Sequence, residues 1–182
     1  MIITIGGNLG AGKTTLAARL SKTLGYEELY IGGIMRQMAA EQKMTIEEFY
    51  QRLRHNPELE RSVDERQAKL MREKDNLIIQ GRVAWFFAKG SPFKVLNVFL
   101  AVSPEVGAQR TKQRTENKDV SAVAEVAAAN NLRVKLELER YKTLYDIENF
   151  LDPAHYDFVL DTTNLTIEEV EHKVLAAAKK RA

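Results

Sequence analysis

Residues Gly7-Asn8-Leu9-Gly10-Ala11-Gly12-Lys13-Thr14 satisfy every fixed position of the pattern G-x-x-x-x-G-K-[ST]. Residue types at this spacing can hold a polyphosphate. The glycines reach backbone angles closed to side-chain-bearing residues, so successive N–H groups turn inward onto phosphate oxygens. A helix beginning at the end of the run adds the positive end of its dipole. Lys13 is expected on the β- and γ-phosphates, and the Thr14 hydroxyl is expected to bind Mg²⁺.

Such a loop works only between a strand and a helix, and both are legible. Met1–Ile5 is a short apolar β-type run, and Thr15-Leu16-Ala17-Ala18-Arg19-Leu20 reads as a helix. Four further strand candidates follow: Glu28–Ile31, Asn76–Ile79, Val95–Ala101 and Asp157–Leu160. Several are near-continuous aliphatic runs, as strands covered on both faces require. Helix starts are marked by Asn56-Pro57 and Ser103-Pro104, each a cap followed by proline at the first helical position. Thr45 with Glu48, and Thr166 with Glu169, fit capping boxes. Strands alternating with helices imply an α/β fold with a parallel, three-layer sheet. Helical pattern from Gly32 to Lys74, and again from Pro104 to about Ile147, exceeds what one crossover needs.

Composition narrows the classes. The chain has 182 residues, 45% of them hydrophobic, with a net charge of +2 and no cysteine. One domain with a sizeable core fits that length. Disulfides and thiolate metal sites are excluded, and the balanced charge gives no argument for a nucleic-acid partner. No apolar run approaches the roughly 20 residues that span a bilayer. The expectation is a soluble, cytoplasmic chain, monomeric, acting on a small molecule.

A phosphate loop alone serves GTPases, motor ATPases and small-molecule kinases. The chain is short for a motor and has no N-K-x-D stretch to read guanine, which leaves the kinases. Their chemistry is positioning and charge neutralisation, so arginines should converge on the phosphates. Arg36 follows the second strand. Arg82 directly follows the third, and the carboxyl end of a parallel strand is where α/β ligands bind. Arg110 and Arg114 share a helix face by spacing, as do Arg133 and Arg140. Trp85-Phe86-Phe87 reads as core packing, and His55, His155 and His172 show no ligand spacing.

With these residues in place the chain resembles the nucleoside monophosphate kinases, and within them the short cytidylate kinases of archaea and some bacteria. The resemblance runs over nearly the whole length. The family's phosphate loop corresponds to Gly6 through Thr15. Its G-D-I-F-R-E-x-A element resembles Gly32 to Ala39, and its D-R-R-Q element resembles Asp64-Glu65-Arg66-Gln67. Its E-G-R-L-A element resembles Gln80 to Ala84. Its R-Y-x-x-x-Y element is present as Arg140 to Tyr145, and Y-D-x-x-x-D-T as Tyr156 to Thr162.

The resemblance implies ATP-dependent phosphorylation of CMP or dCMP by a single domain spanning 1–182. It implies a five-stranded parallel core, a helical monophosphate-binding insert at about 32–74 and a lid at about 111–130. It places ATP on Gly7 through Thr15 and the acceptor phosphate on Arg36 and Arg82. It assigns lid and transition-state charge to Arg110, Arg114, Arg133 and Arg140, and puts Asp64 and Gln67 at the cytosine edge. The backbone around Asp161–Leu165 would line the ATP base.

Two positions depart from the family pattern. Gln80 stands where the family has an acid, and Gly33 where it has an aspartate. An amide at 80 can hydrogen-bond a metal-bound water but adds no charge, so Gln80→Glu is expected to raise turnover or tighten Mg²⁺ dependence. The residues leave two other readings open. One is a kinase of another acceptor, such as UMP, AMP or a hydroxyl metabolite. The other is a nucleotide-binding regulatory protein with weak transfer.

Overall fold

A computed structural model describes residues 1–54, 56–114 and 123–181, with the side chains at 47, 50, 54 and 114 outside the description. All five apolar runs form strands: β1 (Ile2–Gly7), β2 (Glu27–Tyr30), β3 (Leu77–Gln80), β4 (Val95–Ala101) and β5 (Phe158–Asp161). They pair in parallel in the order β2-β3-β1-β4-β5. The first strand lies at the centre, with every residue buried. That burial on both faces explains why its sequence is apolar without alternation.

Alternation along β1 sorts side chains into two layers. Ile3 and Ile5 meet Leu16 and Leu20 of α1 (Lys13–Leu24) and Val170 and Val174 of α8 (Ile167–Arg181). Ile2 faces the other way, toward Leu77, Ile79, Met71, Ala84 and Ala88. The β1 position Thr4 is also fully buried, and its hydroxyl donates to Asn97 Oδ1 at 2.7 Å. Helices on both faces complete three layers, as strand–helix alternation requires.

The long stretch after β2 forms α2 (Ile31–Glu41), α3 (Ile46–Arg54) and α4 (Pro57–Glu73). These helices close an apolar cluster of their own around Ile34, Met38, Phe49 and Val63. The starts of α3 and α4 are fixed as the sequence signals them. The Asn56 side chain accepts from Leu59 N at 3.0 Å. Thr45 and Glu48 exchange reciprocal bonds, Thr45 N to Glu48 Oε2 at 2.8 Å and Glu48 N to Thr45 Oγ1 at 3.2 Å. The same box forms between Thr166 and Glu169 at the start of α8.

After β3, the short α5 (Ala84–Ala88) buries Trp85, which packs with Phe86, Tyr141, Ile147 and Phe150. The His155 ring stacks on Trp85 with centroids 3.9 Å apart. Between β4 and β5 run α6 (Pro104–Arg114) and α7 (Val123–Tyr145), packed on one another. Of the expected lid, 115–122 lie outside the described residues, as does the side chain of Arg114. Among the described residues no helix is long and apolar enough to cross a membrane.

Candidate active site

Between β1 and α1 the chain turns tightly over the carboxyl ends of the strands. Two glycines make this turn possible. Gly10 has φ +77° and packs so close to α6 that a Cβ there would lie 2.1 Å from the Gly107 carbonyl oxygen. Gly12, at φ +89°, sits in the left-handed region immediately before α1. No cap side chain occupies the start of α1, so its first N–H groups stay available to an anion.

The loop opens into a cleft of about 690 Å³. Its walls carry Leu9, Gly10, Gly12, Lys13 and Thr14 on one side, and Asp64, Gln67, Arg82, Arg110, Arg133 and Arg140 from four other elements. The sequence-derived phosphate loop, base-edge pair and arginines thus meet in one space. Gly7, Asn8, Ala11 and Thr15 belong to the loop's backbone or its outer face and do not line the cleft. Arg36 does not line it either. Its guanidinium lies over the Tyr30 ring, 5.3 Å from the centroid, and donates to the Tyr30 hydroxyl, while Tyr30 itself forms part of the wall.

Each cation has a defined anchor. Lys13 Nζ donates to the carbonyls of Gly7 at 2.9 Å and Asn8 at 2.5 Å, which fold it over the loop. Arg82 Nη1 donates to the Gly7 carbonyl at 3.4 Å, and its Nε sits 2.7 Å from Glu137 Oε2. Arg110 reaches the carbonyls of Thr162 at 3.0 Å and Thr163 at 3.4 Å. Arg133 pairs with Glu137 at 3.0 Å, and Arg140 forms an ion pair with Glu60 of α4.

Glu60 and Glu137 are site residues the sequence reading missed. Glu137 had a signal: it falls between Arg133 and Arg140 on the face their spacing defines. Glu60 had none, since its pairing with Arg140 joins α4 to α7. Thr162 is buried, and its hydroxyl donates to Ala101 O at 2.9 Å and Ala11 O at 3.3 Å, tying the phosphate loop to β4.

The far wall is polar and buried. Asp64 is 8% exposed and Gln67 2%. Burial pushes the Asp64 carboxyl up to about 6, against the opposing pull of the Tyr145 hydroxyl, which donates to Asp64 Oδ2 at 2.6 Å. Burial also pushes the neighbouring Tyr141 hydroxyl up to about 12. Gln67 Nε2 is buried with no hydrogen-bond partner among the described residues. A buried amide N–H left unpaired is costly, so a donor kept this way at a cleft wall fits a ligand acceptor.

Thr14 is the residue suited to a divalent ion. Its hydroxyl donates to Gln80 Oε1 at 2.8 Å, so the hydrogen points to β3 and the oxygen lone pairs are left for a cation. Among the described residues no cluster of three or more His, Cys, Asp or Glu could hold a metal by protein ligands alone. An ion on Thr14 would complete its shell with phosphate oxygens and water, the ordinary arrangement for Mg²⁺. Gln80 Nε2 in turn donates to Glu28 Oε1 at 3.1 Å. A glutamate at position 80 would therefore face a second carboxylate, and the gain expected from Gln80→Glu alone does not follow.

Known proteins match this chain over most of its length. Residues 2–164 match the model of the cytidylate kinase-like family. The cytidylate kinase of Methanopyrus kandleri is 37% identical, over 98% of this chain and 92% of its own. That of Methanothermobacter thermautotrophicus is 38% identical, over 92% of this chain and 99% of its own. Among solved structures, an uncharacterized protein from Eubacterium ventriosum superposes with a TM-score of 0.76 at 14% identity, covering 100% of this chain and 99% of that one. A shikimate kinase from Bacteroides thetaiotaomicron superposes at 0.63 and 19% identity, covering 98% of each. At such identities these two speak for the fold alone.

Proposed function

The chain belongs to the cytidylate kinase-like family and is a nucleoside monophosphate kinase, and from that premise we propose that it phosphorylates CMP or dCMP with ATP and Mg²⁺. The observation that carries the choice of base is the buried pair on α4. Cytosine offers an amino donor at position 4 beside ring acceptors. The Asp64 carboxylate accepts from that amino group, and the unpaired Gln67 amide donates to a ring acceptor. Uracil carries a carbonyl oxygen at position 4, which an ionised Asp64 repels.

In this reading the triphosphate lies on Gly7 through Thr15, with Lys13 leaving the loop carbonyls for the β- and γ-phosphates. Thr14 would hold Mg²⁺, which neutralises phosphate charge when bound. An oxygen of the acceptor's 5′-phosphate attacks the γ-phosphorus. The bond from that phosphorus to the β–γ bridging oxygen breaks, leaving ADP and CDP. Arg82 and Arg140 are held on Glu137 and Glu60 at the cleft wall, within reach of incoming phosphates that replace those carboxylates. Arg110 and Arg133 add positive charge from α6 and α7 as the cleft closes. The insert at 32–74 carries the acceptor, and Arg36 swings from Tyr30 to its phosphate. Closure excludes water, which otherwise competes for the transferred group.

The test is ADP production with CMP, dCMP, UMP, AMP and shikimate as acceptors, for the native chain and Asp64→Asn. CMP and dCMP should support the highest kcat/KM, and Asp64→Asn should narrow the CMP-to-UMP ratio by about tenfold, the discrimination of one good base contact. Preference for another acceptor, or an unchanged ratio, would overturn the assignment.

A further inference from the structure

The family pattern has an acid where this chain has Gln80, and an amide cannot replace an acid symmetrically. A carboxylate accepts through either oxygen. An amide accepts through one end and donates through the other. If Gln80 turned its nitrogen toward Thr14, the threonine hydroxyl would have to accept that bond. Its hydrogen would then point into the cleft, against any cation bound there.

The structure holds the amide the useful way round. Gln80 Nε2 donates to Glu28 Oε1 at 3.1 Å, and this leaves Oε1 to accept from the Thr14 hydroxyl at 2.8 Å. Glu28 lies on β2, opposite Ile78, with Tyr30 opposite Gln80, so the carboxylate reaches diagonally across neighbouring parallel strands. Glu28 is only half-buried, and Gln80 likewise. The chain Thr14–Gln80–Glu28 thus runs from the rim of the phosphate loop to an acidic side chain two strands away.

Building on the phosphoryl-transfer reading, we propose that Glu28 is the positioning acid of the Mg²⁺ site, acting through Gln80. It does two things. It fixes the amide so that Thr14 presents lone pairs to the cation, and it returns to the site the negative charge that Gln80 lacks. The charge sits on the edge strand β2 beside β3, with the amide as its relay. Partners of this kind behind a metal ligand, when removed, cost roughly 10- to 100-fold in metal affinity.

The experiment measures ATP binding by calorimetry across a free-Mg²⁺ titration, starting from EDTA, without turnover. Glu28→Ala should raise the Mg²⁺ midpoint about tenfold, while ATP affinity in EDTA and the thermal midpoint stay near native. In the double variant Glu28→Ala with Gln80→Glu, the acid at 80 needs no orienting partner, and the native midpoint should return. Gln80→Glu alone places two carboxylates side by side and should not lower the midpoint. Should Glu28→Ala fail to fold, Glu28→Gln keeps size and acceptor while removing charge, and a several-fold rise is expected. An unchanged midpoint in the folded variant, or an equal loss with glutamate at 80, overturns the proposal. Native ATP binding that ignores Mg²⁺ overturns both this inference and the kinase reading. Mg²⁺-responsive binding without ADP production from CMP overturns only the choice of acceptor.

Discussion

At the scale of the residue, the site is governed by what each charge does when no phosphate competes for it. Lys13 rests on two loop carbonyls, and Arg82 bridges the Gly7 carbonyl and Glu137. Neither is buried unpaired, which would be costly. Lys13→Ala removes charge aimed at the transferred group and should lower kcat by about a hundredfold or more, with folding intact by circular dichroism. Near-native turnover would rule the lysine out of the reaction. Asp64 has the opposite problem, since it is a carboxyl held against burial. Its folded value, about 6, lies above the ordinary 3.8. The folded chain therefore holds the proton more tightly than the unfolded one, and stability falls as pH rises through that window. Asp64→Asn keeps an acceptor for Tyr145 and removes the charge. It should gain on the native chain by about 1–3 kcal/mol between about pH 4 and pH 7. Denaturant melts at several pH values check this; parallel profiles would contradict it.

At the scale of the element, the packing of α2 and α3 on α4 sets the position of Asp64 and Gln67. Asn56 caps α4, the helix that carries Asp64 and Gln67. Thr166 caps α8, which lies behind the sheet. Asn56→Ala and Thr166→Ala should each cost about 1 kcal/mol of stability. Only the first should raise KM for the acceptor, since only α4 lines the cleft. Equal effects on KM would mean that the insert does not carry the acceptor. These elements were legible because their signals are local. The strands are apolar runs, the caps are spaced by three residues, and the phosphate loop is a contiguous pattern. The arginines were legible by residue type and helical spacing. Of the acids that hold them, Glu137 carried such a signal and Glu60 did not. Glu60 meets Arg140 only when α4 packs near α7, and Glu28 meets Gln80 only through the register of β2 on β3. Long-range pairing decides which of many glutamates enter the site, and no local pattern carries that information. Arg36 was placed by sequence among the phosphate ligands, yet the fold lays it on Tyr30 at the cleft's edge.

At the scale of the whole molecule, the cleft is shared among parts that are distant along the chain. The phosphate loop, α4, the end of β3, α6 and α7 each supply a wall. A ligand spanning two of these walls adds contacts between elements that are distant along the chain. A bisubstrate analogue linking adenosine and cytidine through phosphates should therefore stabilise the chain more than ATP alone. With all ligands at one concentration, set to a hundred times the cytidine analogue's Kd, the gain from that analogue is about 2.7 kcal/mol. For a domain of this size that is about 5–10 °C in Tm. The same shift from an adenosine–uridine analogue would argue against a base-selective wall.

The three helices after β2 enclose Ile34, Met38, Phe49 and Val63 around a centre separate from those flanking the sheet. Substitutions inside that small centre can alter the tilt of α4 without loosening the strands that seat the triphosphate. Donor recognition and acceptor recognition thus answer to different packing problems. In the proposed reading, substitutions in this centre should change the preferred nucleobase before they weaken ATP binding.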